Sequence, residues 1–232
     1  MLVSQILNEC SGAMARKVFV DFDGTIASHD VGNQILQVFG NEEVMRIDQL
    51  WINGDISTRE RAEAQFAHID VSEYELKRFV DSFHVEPDFI EFVDWCRSKD
   101  VELEILSDGF DFYIDRMLAA VGLTALPRRA NSLAFEEDKI ILRFPYENDG
   151  NRMFGVCKDV YLRSAANCYE SIAFIGDSNS DIPAAPIADI LFAREGLILA
   201  RYCKLNEIPV FEFSRFVEVS TVLHAKWFDE GI

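Results

Sequence analysis

The sequence predicts a doubly wound α/β fold, a mostly parallel sheet flanked by helices, with a small all-helical domain inserted after the first strand. Three observations carry this. Short apolar runs ending in turn residues recur along the chain. The segments between them have the apolar spacing of helices, and residues 30–85 contain no strand pattern.

Residues 1–15 read as an N-terminal extension. The first run, 17–21, is short, apolar and ends in an acid. Runs at 101–106, 172–176 and 189–193 follow the same plan, continuous rather than alternating, as for parallel strands covered on both faces. Between them, Phe89, Phe92, Val93 and Cys96 share one helical face, and Ile114, Met117, Leu118 and Val121 share another. Strands alternating with helices give a parallel sheet. Within 30–85 the pattern is of several short helices, one with the face Leu76, Phe79, Val80 and Phe83. Residues 55–58 supply loop and cap signals before Arg59. The expected domains are a catalytic core of 1–29 and 86–232 and a helical cap of 30–85. Residues 133–145 alternate around Glu137 and Asp138 and predict a β-hairpin.

Of the 232 residues, 49% are hydrophobic and 19 are Phe, so a sizeable core is expected and disorder is not. The formal net charge of -18 argues against nucleic acid and against an anionic membrane surface, both of which call for clustered Lys and Arg. It does not exclude an anionic substrate, since distant charges are screened and a local cation outweighs them. The five scattered cysteines contain no C-x-x-C, so neither a zinc site nor a disulfide framework is indicated, and free thiols are expected. No signal-peptide pattern or apolar span is visible, and the expected location is cytoplasmic.

The first run leads into Asp21-Phe22-Asp23-Gly24-Thr25. Residues two apart on an extended segment point the same way, so two carboxylates meet at the carboxyl end of a strand, where open α/β sheets bind ligands. One carboxylate, ionised at neutral pH, attacks phosphorus without a base. Its neighbour holds a proton for the leaving group. An acidic turn that merely caps the next element is the alternative. The third run ends in Gly176-Asp177-Ser178-Asn179-Ser180-Asp181, whose acids, with Asp21, make an oxygen-rich set suited to Mg²⁺; a helix cap is the alternative. The second run ends in Ser107-Asp108-Gly109, where a hydroxyl and free N–H groups before a helix suit a phosphate oxygen, as a plain serine cap also does. Lys158 opens a helical segment before the third strand.

In this order the motifs resemble the haloacid-dehalogenase phosphatases with a helical C1-type cap, over residues 17 to about 193. The resemblance implies a Rossmann-like core and a role for each residue. Asp21 is the nucleophile and a metal ligand. Asp23 is the general acid and then the base, and gives its backbone carbonyl to Mg²⁺. Ser107 and the Gly109 backbone hold the phosphoryl group, Lys158 offsets negative charge, Asp177 ligates Mg²⁺, and Asp181 is a ligand or a supporting acceptor.

Three branches of that superfamily look similar: phosphoserine phosphatases, methionine-salvage phosphatases of a methylthio keto-sugar phosphate, and phosphoethanolamine or phosphocholine phosphatases. The stretch 107–114, the hairpin, 155–158 and 192–194 most resemble the salvage branch. Asp108 departs from the glycine usual there and either contacts a cationic substrate group or caps a helix. Asp30 either contacts a substrate ammonium or caps a helix at the hinge. Arg59 and Arg61 either bind a substrate carboxylate or are solvated. The expected partner is a small phosphorylated metabolite. A phosphotransferase or mutase on the same scaffold, and a non-catalytic binding protein, are the competing functions.

Overall fold

The computed structural model describes residues 15–147 and 153–229. Apart from Ala15, the expected N-terminal extension lies outside them. In chain order the elements are β1 (Arg16–Val20), α1 (Val31–Phe39), α2 (Glu42–Ile52), α3 (Thr58–Phe66), α4 (Glu73–Val80), α5 (Pro87–Ser98), β2 (Val101–Phe110) and α6 (Asp111–Ala120). They continue with β3 (Arg128–Glu136), β4 (Lys139–Arg143), α7 (Lys158–Ala165), β5 (Ser171–Gly176), a 3₁₀ helix (Asn179–Ala184), β6 (Ile190–Arg194), α8 (Ile198–Leu205), β7 (Phe211–Phe213) and α9 (Phe216–Trp227).

The described residues fall into two compact units. The first comprises 15–21, 86–105 and 158–229. Here the strands follow the order β2-β1-β5-β6-β7, all parallel. Val18, Phe19 and Val20 are all buried, which is why β1 reads as a continuous apolar run. The predicted α5 face of Phe89, Phe92, Val93 and Cys96 is buried throughout. Phe89 and Phe92 pack on Phe216 of α9 with ring centroids 5.0 and 5.4 Å apart. Each such ring, fully buried, contributes about 1.5–3 kcal/mol. Strand β7 was not expected from the sequence: it has three residues, two of them exposed, too few to show a period.

The second unit comprises 22–85 and 106–157. Helices α1 to α4 occupy the stretch expected to be helical. Ser57, within the predicted cap signal, caps α3 in a reciprocal capping box with Glu60. Leu76 and Val80 of α4 are fully buried, and the Phe79 and Phe83 rings meet at 5.1 Å. The far end of β2 neighbours β3, which pairs antiparallel with β4. The hairpin turns at Glu137 and Asp138, both left-handed (φ 49° and 62°), as a two-residue primed turn requires.

Two sequence expectations need correcting. Strand β2 runs on through Ser107, Asp108 and Gly109 to Phe110, so Ser107 is a strand residue and not the cap of a helix. The neighbour of β2 in the sheet is β3, which begins at Arg128 and so lies beyond any local pattern. Cys168 is disulfide-bonded, whereas Cys96, Cys157 and Cys203 are free and buried, so the expectation of free thiols throughout does not hold. No helix among the described residues is long and apolar enough to cross a membrane.

Candidate active site

In the first unit, Asp21 directly follows β1, and its N–H donates to the Ile175 carbonyl at 2.9 Å, extending the parallel ladder to β5. Strand β5 ends at Gly176, so Asp177 stands at the corresponding end of the next strand. Parallel pairing therefore brings two acids far apart in sequence to one rim. Asp21, Asp177 and Asp181 each offer a carboxylate oxygen within 4.8 Å of the others.

Lys158, the first residue of α7, enters the same group. Its ammonium lies 2.8 Å from Asp21 Oδ1, pairs with Asp181 Oδ1 and donates to Ser180 Oγ at 3.2 Å. Lys158 is 1% exposed, Asp181 0% and Asp21 4%. Asp181 Oδ2 accepts the N–H groups of Asp177 at 2.8 Å and Ser178 at 2.9 Å. Asp181 thus locks the loop after β5 and orients the lysine at once.

Asp21 and Asp181 share the Lys158 ammonium, and the Asp177 carboxylate lies beside them. Burial, then the charge of Asp181, pushes the Asp21 carboxyl well above its ordinary value; Lys158 pulls it back and Asp177 pushes it up again. Burial works against charge on Lys158, but Asp181 and Asp21 more than offset it and hold the ammonium above its ordinary value. Asp21, Asp177 and Asp181 together give an all-oxygen donor set, which fits a hard divalent cation.

Gly176 makes the arrangement possible: a Cβ there would come within 2.6 Å of both Cγ and Oδ2 of Asp181. Gly176→Ala is expected to cost about 1–3 kcal/mol by overpacking. Thermal unfolding checks this, and an unchanged midpoint would show that Asp181 moves aside freely.

In the second unit, Asp23 opens the turn in which Gly24 takes φ 74°, a conformation suited to glycine. The turn is closed by the N–H groups of Ile26 and Ala27, each donating to the Phe22 carbonyl at 2.9 Å. Asp23 Oδ1 accepts the N–H of Val31 at 2.8 Å, and Oδ2 accepts the hydroxyl of Tyr113 at 2.5 Å. Burial, then the charges of Asp23 and Asp30, pushes that hydroxyl well above its ordinary value, so Tyr113 remains a donor. Ser107, on β2, is fully buried, and its Oγ accepts the Gly109 N–H at 3.0 Å.

Asp108 is a tie-point. Its Oδ1 accepts the N–H groups of Gly155 at 2.8 Å and Val156 at 3.0 Å, and its Oδ2 accepts the Thr58 hydroxyl at 3.2 Å. The buried Asn131 amide donates to the Asp108 carbonyl at 2.7 Å. Asp108 itself lies within β2. Asp30 caps α1, its Oδ1 accepting the Asn33 N–H at 2.7 Å. Arg59 pairs with Glu63 and Glu147 at 2.9 and 3.1 Å. Arg61 pairs with Asp48 and lies over the Trp51 ring at 4.5 Å. Tyr113, Asn131 and Thr58 were not singled out from the sequence. Only the general demand of a buried tyrosine for a polar partner pointed towards the first of them.

The sequence family described as haloacid dehalogenase-like hydrolase matches residues 18–186. A protein of Brevibacillus brevis named 2-hydroxy-3-keto-5-methylthiopentenyl-1-phosphate phosphatase is 30% identical over 216 residues, covering 90% of this chain and 96% of that protein. Pdp3-interacting factor 1 of Schizosaccharomyces pombe is 28% identical over 222 residues, covering 91% and 96%. Among solved structures, a phospho-aspartyl intermediate analogue of phosphoserine phosphatase superposes with a TM-score of 0.67 at 17% identity, covering 90% of this chain and 99% of that one.

Proposed function

The chain belongs to the haloacid dehalogenase-like hydrolase family, and from that premise we propose that it hydrolyses the phosphate monoester of a small metabolite through an aspartyl-phosphate on Asp21. The observation that carries this reading is the group formed by the buried Asp21, Asp181 and Lys158 with the half-buried Asp177, gathered at the ends of β1 and β5 and the start of α7.

Asp21 attacks phosphorus as the ester P–O bond breaks, and Asp23 gives its proton to the leaving oxygen. Asp23 then takes a proton from water as the water oxygen bonds to phosphorus and the Asp21–phosphorus bond breaks. Ser107 and the Gly109 backbone hold the phosphoryl oxygens. Lys158 balances the charge on Asp21. Asp21, Asp177 and the Asp23 backbone carbonyl would hold Mg²⁺, which would supply charge neutralisation at the phosphoryl group. Asp181 is the supporting acceptor, its oxygens being engaged by Lys158 and by two N–H groups. Residues 30–85 form the helical cap, and 1–29 with 86–232 the catalytic core.

The substrate reading that draws most support is a methylthio keto-sugar phosphate. The Brevibacillus relative bears the name of such a phosphatase. Arg59 and Arg61 are paired with Glu63, Glu147 and Asp48, which weighs against a phosphoserine carboxylate as their partner. Asp108 is engaged by Gly155, Val156 and Thr58, which weighs against a choline-type headgroup there.

A phosphometabolite panel with Mg²⁺ tests this. The keto-sugar phosphate is expected to give a kcat/KM at least about tenfold above phosphoserine and phosphocholine, a gap that needs only about 1.4 kcal/mol of differential transition-state binding. Chelation is expected to abolish turnover and added Mg²⁺ to restore it. Preferred transfer of phosphate to a sugar hydroxyl over water would point to a phosphotransferase instead.

A further inference from the structure

Asp23 has to present one carboxyl oxygen to a leaving group and then to water, and a freely rotating side chain would do this poorly. Its surroundings in the second unit restrict it from two sides. The Val31 N–H, in the first turn of α1, holds Oδ1 at 2.8 Å, and the Tyr113 hydroxyl, from α6, holds Oδ2 at 2.5 Å. Tyr113 is itself immobilised: it is 1% exposed, and its ring packs against Phe22 with centroids 6.3 Å apart. Gly109 leaves room for the pair, because a Cβ there would collide with both the Tyr113 hydroxyl and Asp23 Oδ2. Gly32 also lies beside that hydroxyl, its Cβ position 3.4 Å away.

We propose that Tyr113 is a positioning residue of the hydrolytic reaction, fixing through its hydroxyl the Asp23 carboxyl that passes the proton to the leaving group. The proposal rests on the phosphatase reading of Asp23. When Asp23 hands its proton to the ester oxygen, the carboxylate left behind accepts the Tyr113 O–H bond. When water attacks the aspartyl-phosphate, its proton returns to the same carboxylate. Tyr113 is protonated before and after, and no other reactant is involved.

The test is Tyr113→Phe, which keeps the ring and removes the oxygen, assayed on two probe esters with Mg²⁺. Ethyl phosphate has a leaving group that needs a proton; p-nitrophenyl phosphate has one that departs without it. On ethyl phosphate kcat/KM is expected to fall about 10-fold or more, a share of the ~10²–10⁴ that a general acid contributes. On p-nitrophenyl phosphate the fall is expected to stay below about 3-fold, with the unfolding midpoint unchanged. Equal losses on both esters, or no loss on ethyl phosphate, would overturn the proposal.

A readout without turnover is the proton spectrum. A downfield hydroxyl resonance is expected in the unmutated protein and is lost in Tyr113→Phe and shifted in Asp23→Asn; its absence in the unmutated protein would overturn the assignment. Failure of the phosphatase reading looks different, since neither ester would then turn over in the unmutated protein while the resonance remained.

Discussion

Asp21→Asn is expected to lower phosphomonoester turnover more than about 10³-fold, since an amide is too weak a nucleophile to form the acyl-phosphate. The same substitution is expected to stabilise the metal-free protein. Asp21 is 4% exposed and faces the charges of Asp181 and Asp177 with one shared lysine, so a neutral side chain of the same shape relieves repulsion. Activity and stability would therefore move in opposite directions, which general damage to the fold cannot produce. Steady-state kinetics with Mg²⁺ and thermal unfolding in chelator check the two halves. Turnover within tenfold of the unmutated protein would remove Asp21 from the covalent step.

Lys158→Met is expected to be the most destabilising single change in the first unit. It removes the ammonium that Asp21 and Asp181 share and leaves both carboxylates buried without it. Breaking a buried pair of this kind costs about 3–5 kcal/mol. Mg²⁺ at about 100 times its dissociation constant is expected to recover about 2.7 kcal/mol. Denaturant unfolding of Lys158→Met with and without Mg²⁺ measures both quantities. A variant as stable as the parent in chelator would contradict a stabilising role for the pairing of Lys158 with Asp21 and Asp181, and a variant insensitive to Mg²⁺ would contradict the role of the group as a cation site.

How much of this was legible beforehand varies with the distance between cause and effect along the chain. The core strands were visible because residues such as 18–20 and 172–175 are covered on both faces and must be apolar throughout. The hairpin turn was visible because Glu137 and Asp138 interrupt an alternating pattern. The start of α3 was visible because Ser57 and Glu60 form a local cap. What escaped depends on partners remote in sequence. Strand β2 runs on through Ser107 to Phe110 and has β3, from further along the chain, as a sheet neighbour. The short strand β7 depends on β6, with which Phe211 and Phe213 pair. Asp108 read as either a substrate contact or a cap, and its ties to Gly155, Val156 and Thr58 could not be read beforehand because those partners lie 47 or more residues away in sequence.

The sequence by itself determined which chemical groups the protein possesses and in what order: acids after apolar strands, a serine, a lysine, and a helical insert among them. Apolar periodicity and turn chemistry are written into neighbouring residues, so they need no folded chain to be read. Only the tertiary structure decided which groups face one another. Parallel pairing of β1 with β5 sets Asp21 beside Asp177, burial of α7 drives Lys158 between Asp21 and Asp181, and the packing of α6 brings the Tyr113 hydroxyl onto Asp23. Those meetings fix charge balance and proton geometry, and they depend on distances through space that sequence separation does not encode.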